Sequence, residues 1–143
     1  MTELPADERL LLLAQDADEV PLLSALTQSA IVRVPDVAWD RRGRRVVMLL
    51  NRYRWEANDR TRVRSALRIQ NVVSAQRRNW PDANTLDPGI TILELLAFTL
   101  EDLTCTLTFA AGASLRLHLE CVDMVLEDIS GPWHASGVPD YDQ

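Results

Sequence analysis

From Leu103 to Cys121 apolar residues recur at every second position, a period that suits a strand with one buried face and no helix. Thr104, Thr106 and Thr108 alternate with Leu103, Cys105, Leu107 and Phe109, and after "AAGAS" come Leu115, Leu117, Leu119 and Cys121. Two such runs about a short glycine-containing turn predict a β-hairpin. With Phe109 opposite Leu115, Cys105 faces Leu119 and the two cysteines become diagonal neighbours. They are then expected to pack as small buried apolar residues. A disulfide is not expected in a reducing compartment, and His118 and His134 add no recognisable metal-ligand spacing.

The same period recurs upstream. "AIVRVPDVAWD" alternates on either side of Pro35, as an edge strand or a bulge does. "RRGR" supplies a turn with Gly43 as its expected left-handed residue. "RVVMLLNRYRWE" reads as a strand, apolar on both faces first and alternating later. "TRVRSALRIQNVVSAQRRN" reads as one long strand, with Val63, Leu67, Ile69 and Val73 on one face. Arg62, Arg64, Arg68 and Gln70 fall on the other. "RLLLLAQ" suits a short strand and "DADEVPLLSALTQSA" a helix capped by Asp16 or Asp18, with Pro21 in its first turn. "ITILELLAFTLE" fits helix or strand, with its β-branched residues favouring strand. Val122, Leu126 and Ile129 suggest a short C-terminal helix closed by Gly131. Asn79 to Gly89 is a long loop, and residues 134–143 form a loose tail.

The expected fold class is therefore α+β, in a single domain over 1–143. About six antiparallel strands form a bent sheet or open barrel, with an N-terminal helix and a possible short C-terminal one. A pleckstrin-homology-like barrel is the alternative, since strands followed by a closing helix share its order. No stretch approaches the roughly 20 apolar residues of a membrane span. The acidic start "MTELPADE" lacks the positive charge of a signal peptide, so a cytoplasmic location without membrane contact is expected.

Charge is unevenly distributed. All fifteen basic residues are arginine. Residues 1–30 hold one arginine against six acids, residues 31–80 thirteen against four, and residues 81–143 one against eleven. The basic stretch centres on "NRYRWEANDRTRVRSALRIQ". If Asn51, Tyr53 and Trp55 turn to the core, Arg52, Arg54, Arg62, Arg64 and Arg68 line one outer face of two neighbouring strands. Such like charges need compensation. Carboxylates such as Glu94, Glu120 and Asp123 supply it internally, or an anionic partner does so from outside. Trp80 and Trp133, placed in loops, are the aromatic candidates for a partner surface.

No glycine-rich phosphate loop, nucleophile elbow or zinc-helix motif is present, and no cofactor is implied. His118, between Arg116 and Glu120 on one strand face, reads as a solvent-facing histidine held by a carboxylate. "LLLLAQDADEVPLLSALTQSA", "LLNRYRWE", "RVRSALRI", "LELLAF" and "LRLHLECVDMVLEDISGPW" together resemble the bacterial, mainly alphaproteobacterial, domain-of-unknown-function family 2948. The likeness runs in order from about Arg9 to Trp133. This chain departs from the family pattern at "AAGAS", where a more glycine-rich turn is usual, and at its "PDYDQ" end, where a proline–histidine pattern is usual. The resemblance implies a small cytoplasmic bacterial protein and supplies no catalytic residues. It matches Arg52, Arg54, Trp55, Glu120, Trp133 and Asn51, the last expected on the inward face with a structural role. Three functions stay open: a protein-interaction or accessory module that binds a protein partner or itself, an anion, nucleotide or RNA binder using the arginines, and an enzyme of unrecognised type.

Overall fold

The computed structural model describes residues 9–81 and 91–135. Among these, ten strands make one antiparallel sheet: β1 (Leu11–Ala14), β2 (Ala30–Asp40), β3 (Arg45–Tyr53), β4 (Thr61–Ile69), β5 (Val72–Arg78), β6 (Ile92–Glu101), β7 (Thr104–Phe109), β8 (Ser114–Leu119), β9 (Met124–Asp128) and β10 (Trp133–His134). The order across the sheet is β1-β9-β4-β3-β2-β6-β7-β8-β5, and β10 pairs with the start of β4. The sheet curls around a single core but does not close, because β1 and β5 each pair on one edge only. One helix, α1 (Val20–Leu26), follows a 3-10 turn and lies against β6. Asp16 and Glu19 form a capping box ahead of it, and Pro21 sits in the first turn, where its missing N–H costs nothing.

The strand count exceeds the six expected, and two differences contribute besides the short β10. Residues 61–79 are not one strand: Asn71 adopts a left-handed φ of 58°, and the chain breaks there into β4 and β5. Val63, Leu67 and Ile69 stay buried as expected, while Val73, beyond the break, is exposed. The expected C-terminal helix is instead strand β9, in which Met124, Leu126 and Asp128 point inward opposite Ile69, Leu67 and Ser65. The outer edge of β4 carries backbone groups that need partners, and a strand satisfies them where a helix cannot. With the only helix near the N-terminus, the strands-then-helix order of a pleckstrin-homology-like barrel is not found among the described residues.

Residues 92–101 form a strand, β6, continuing into the β7–β8 hairpin. The hairpin register differs from expectation by two residues: Leu107, not Phe109, faces Leu115, and Cys105 faces Leu117. The turn is longer because Ala111 and Gly112 both take positive φ. Cys105 is buried, its thiol pushed up to about 12 by desolvation, whereas Cys121 lies past the strand and is exposed. At the β2–β3 turn the left-handed residue is Arg44, not Gly43. Gly43 leaves room for the Asp40 carboxylate, which accepts the Gly43 N–H and would have to move aside for a Cβ there.

The core fills from inward positions of β1 to β9, with Phe98, Phe109, Met48 and Leu67 among its largest members. No helix among the described residues is long and apolar enough to cross a membrane. The expected loop at 79–89 and the tail at 134–143 lie mostly outside the described residues. His134 is an exception, pairing with Thr61.

Candidate functional site: the arginine strands and two faces of the sheet

The phase of β3 is opposite to that expected. Val46, Met48, Leu50 and Arg52 share its inner face, so Arg52 is a core residue with no exposed surface. Its guanidinium is held from two sides. It donates to both oxygens of Glu56 at 2.8 Å and to both oxygens of Asp128 at 3.0–3.3 Å. Asp128 also accepts from the Ser65 hydroxyl at 2.7 Å and the Leu10 amide at 2.9 Å. A further bond of 3.5 Å reaches the Leu26 carbonyl in the last turn of α1, an end that favours a cation. Burial alone would lower the Arg52 pKa, yet the hydrogen bonds and charges of Glu56 and Asp128 raise it overall. Arg52 thus ties α1, β3, β4 and β9 together.

Glu56 answers in kind. Its partial burial would raise its pKa, but the Arg52 hydrogen bonds, a backbone hydrogen bond and the charges of Arg52 and Arg54 together outweigh this and hold it below the usual carboxylate range. A depressed carboxylate adds stability that is present above its unfolded pKa and is lost as pH falls through the folded value. The wild type should therefore be more stable than Glu56→Gln at neutral pH, and the gap should close on acidification below about pH 4. Urea midpoints of both proteins between pH 7 and pH 3 measure this; a gap that stays constant would show that the ion pair contributes nothing.

Arg54 is also buried, bound to Asp59 at 3.1 Å and to the Thr61 hydroxyl at 3.0 Å. Neither Arg52 nor Arg54 belongs to an outer stripe, and neither is available to an external ligand. Asn51 is correspondingly outward: its Oδ1 accepts from Arg64 at 3.1 Å. Arg62, Arg64 and Arg68 do face outward as expected. Arg64 pairs with Asp36 and Arg68 with Glu127, each at 3.1 Å. Arg62 donates to the carbonyls of Asn51 and Ser29 and stands 5.8 Å over the Tyr53 ring. Burial lowers its pKa, with Glu94 and Tyr53 opposing. Internal pairing is thus the answer to the basic stretch, with partners that differ in part from those expected. Glu120 binds Arg44, whereas Asp36, Glu56, Asp59, Glu127 and Asp128 do most of the neutralising.

The sheet separates the two candidate tryptophans. Trp133 pairs with Arg62 through β10, and Arg62 with Tyr53, so one outer row reads Trp133–Arg62–Tyr53. Trp55 adjoins this row, edge-on to Tyr53 at 4.7 Å, its indole N–H bound to the Gln28 carbonyl. Beyond it the outer face of β1, β9, β4 and β3 carries Leu11 and Leu13, exposed by 59% and 54%, with Ile129 at 44%. Ile129 continues the β9 register, its N–H bonded to the Arg64 carbonyl. Alternation predicts this outer leucine pair only once β1 is known to pair with β9; the run "LLLL" has no phase of its own.

Trp80 lies elsewhere, edge-on to Phe109 at 5.4 Å, in the wall of a cleft of about 410 Å³ that also contains Val37, Trp39, Arg41, Val46, Ala75, Arg77 and Leu115. Trp39 and Arg41, at and just past the end of β2, meet Arg77 only in the tertiary structure, since residues 61–79 read from sequence as one strand that gives no pairing of β5 with β8. A second groove of about 450 Å³ between α1 and β6 holds no charged side chain. His118 is half-buried and its ring contacts the Thr104 hydroxyl at 3.3 Å, not a carboxylate. Among the described residues no group of three or more His, Cys, Asp or Glu is placed to hold a metal ion.

No curated protein and no solved structure matches this chain. A family model described as "Protein of unknown function (DUF2948)" matches residues 10–141, which span every element from β1 to β10, and the chain belongs to that family.

Proposed function

We propose that the chain is a non-catalytic protein-interaction or accessory module of the bacterial cytoplasm, docking a protein partner on the outer face of β1, β9, β4 and β3. The observation that carries this is the exposure of Leu11, Leu13 and Ile129 together on one sheet face. Val125, half-buried, lies beside Leu13 in this patch, and the Glu127–Arg68 ion pair borders it. Clustered exposed apolar side chains with a polar rim are the mark of an interaction site. Arg62, Arg64 and Arg68 and the aromatic row ending in Trp133 supply residue types that interfaces favour. The arginines are already held by carboxylates or by backbone and ring contacts, so they enter an interface pre-ordered, at a smaller entropic cost.

Affinity capture from the native cytoplasm tests this, comparing the wild type with Leu13→Glu/Ile129→Glu. Both positions are exposed, so the variant should fold, as circular dichroism will verify. The expected result is a protein partner, captured by the wild type after nuclease treatment and lost with the variant. Light scattering on the purified protein detects the case in which that partner is a second copy. Capture that disappears with nuclease would replace this reading with nucleic-acid binding, and identical capture by both proteins would end it.

A further inference from the structure

The cleft at the open side of the sheet holds two arginines, Arg41 and Arg77, that no carboxylate among the described residues pairs with. β5 approaches the β2–β3 hairpin at one point, where the Val72 N–H donates to the Arg44 carbonyl at 2.8 Å. No other backbone bond joins them among the described residues, and the cleft lies along this seam. Its floor is core: Val46 and Leu115 are buried, and Val37 and Ala75 pack beside them. Trp39 faces Val46 across β2 and β3 on the inner side of the sheet. Arg77 faces Leu115 across β5 and β8, also on the inner side, yet it is exposed. An arginine in a core-facing register position is expensive unless it reaches water or an anion.

Six arginines between 44 and 68 lie within 4 Å of a carboxylate. Among the described residues, Arg41 and Arg77 make no ion pair or hydrogen bond and no acid lines the cleft. Asp40, next to Arg41 in sequence, is already engaged by the Gly43 amide and Arg45. An apolar floor, two indoles and two guanidinium groups with no carboxylate partner among the described residues form a site with a definite chemical demand. We propose that this cleft binds an amphipathic organic anion, its flat apolar body between Trp39 and Trp80 and its carboxylate or phosphate at Arg41 and Arg77. The volume of about 410 Å³ lies in the range of small-molecule sites. Indole faces suit a flat ring, and the planar guanidinium suits either head group.

Isothermal titration calorimetry with 2-naphthoate, 2-naphthyl phosphate and the uncharged 2-naphthylmethanol tests the proposal. At least one anion should bind at one site, and the alcohol at least about tenfold more weakly. The stronger anion identifies the head group. Arg77→Gln should weaken the anion by about tenfold, whereas Arg78→Gln, the next residue and on the other face of β5, should leave it unchanged. Three results would overturn the proposal: no binding of either anion at low millimolar concentration, equal binding of the alcohol, or equal losses from Arg77→Gln and Arg78→Gln.

Discussion

Arg52→Ala lowers stability by about 3–5 kcal/mol, read as a fall in the urea midpoint at pH 7. The cost comes less from the lost arginine than from what it leaves behind. Asp128 is buried, and without the guanidinium its charge keeps only the Ser65 hydroxyl and the Leu10 amide. An uncompensated buried carboxylate is among the most destabilising features a core can contain. Arg68→Ala is the contrast: its pair with Glu127 is more than a third exposed on both sides, and its loss should cost about 0–1 kcal/mol. Equal effects of the two variants would mean that Arg52 is hydrated and does not organise the core. The Arg52 cluster also bears on function. It holds β3, β4 and β9 in the register that places Ile129 and the outward arginines on one face, and Asp128 extends the clamp to the start of β1 through Leu10.

Phe109→Ala should cost a comparable amount, about 3–5 kcal/mol, through lost burial and the cavity left in a closely packed core. Phe109 is 1% exposed and ends β7 at the hairpin turn, opposite Leu95 of β6. It also presents its ring to Trp80 at an interplanar angle of 84°. A double-mutant cycle over Phe109→Ala and Trp80→Ala should give a coupling of about 0.5–1.5 kcal/mol, the usual worth of such a pair beyond area. A coupling near zero would show that Trp80 is positioned by something other than Phe109. The cycle therefore reports on the cleft wall independently of any ligand.

Much of the architecture was legible before the structure. The alternation of Thr104–Phe109 against Leu115–Leu119 predicts the hairpin, and only its register slipped, because the turn conformation at Ala111 and Gly112 depends on backbone geometry that composition does not report. Asp16 and Pro21 mark where the helical segment begins, but Asp16 caps a 3-10 turn, α1 itself starts at Val20, and it ends at Leu26, short of the Ala30 expected. The outward placement of Arg62, Arg64 and Arg68 follows from Val63, Leu67 and Ile69, since a period of two leaves no choice once one face is apolar. The strand before it offers no such constraint. "VVMLLN" is apolar on both faces, so its phase can be set either by the aromatics Tyr53 and Trp55 or by continuity from Met48 and Leu50. Hydrophobicity favours the aromatics; the structure follows continuity.

What local sequence determined by itself, then, is the identity of most elements: antiparallel strands, one capped N-terminal helix, and a basic segment whose charge requires compensation. These depend on periodicity, capping and composition, which act over a few residues. What only the tertiary structure decided is where the compensation comes from. An arginine is accepted in the core at 52 because Asp128, 76 positions away in sequence, is brought within 3.0 Å by the pairing of β9 with β4. The residues at 124–128 are a strand and not a helix for the same reason, since the β4 edge demands a hydrogen-bonded neighbour. Long-range pairing also decides which arginines lack a carboxylate partner among the described residues, and so places Arg41 and Arg77 at a cleft floored by Val46 and Leu115. Buried charge and unpaired backbone are costly enough to override local preference, and their partners are set by the fold.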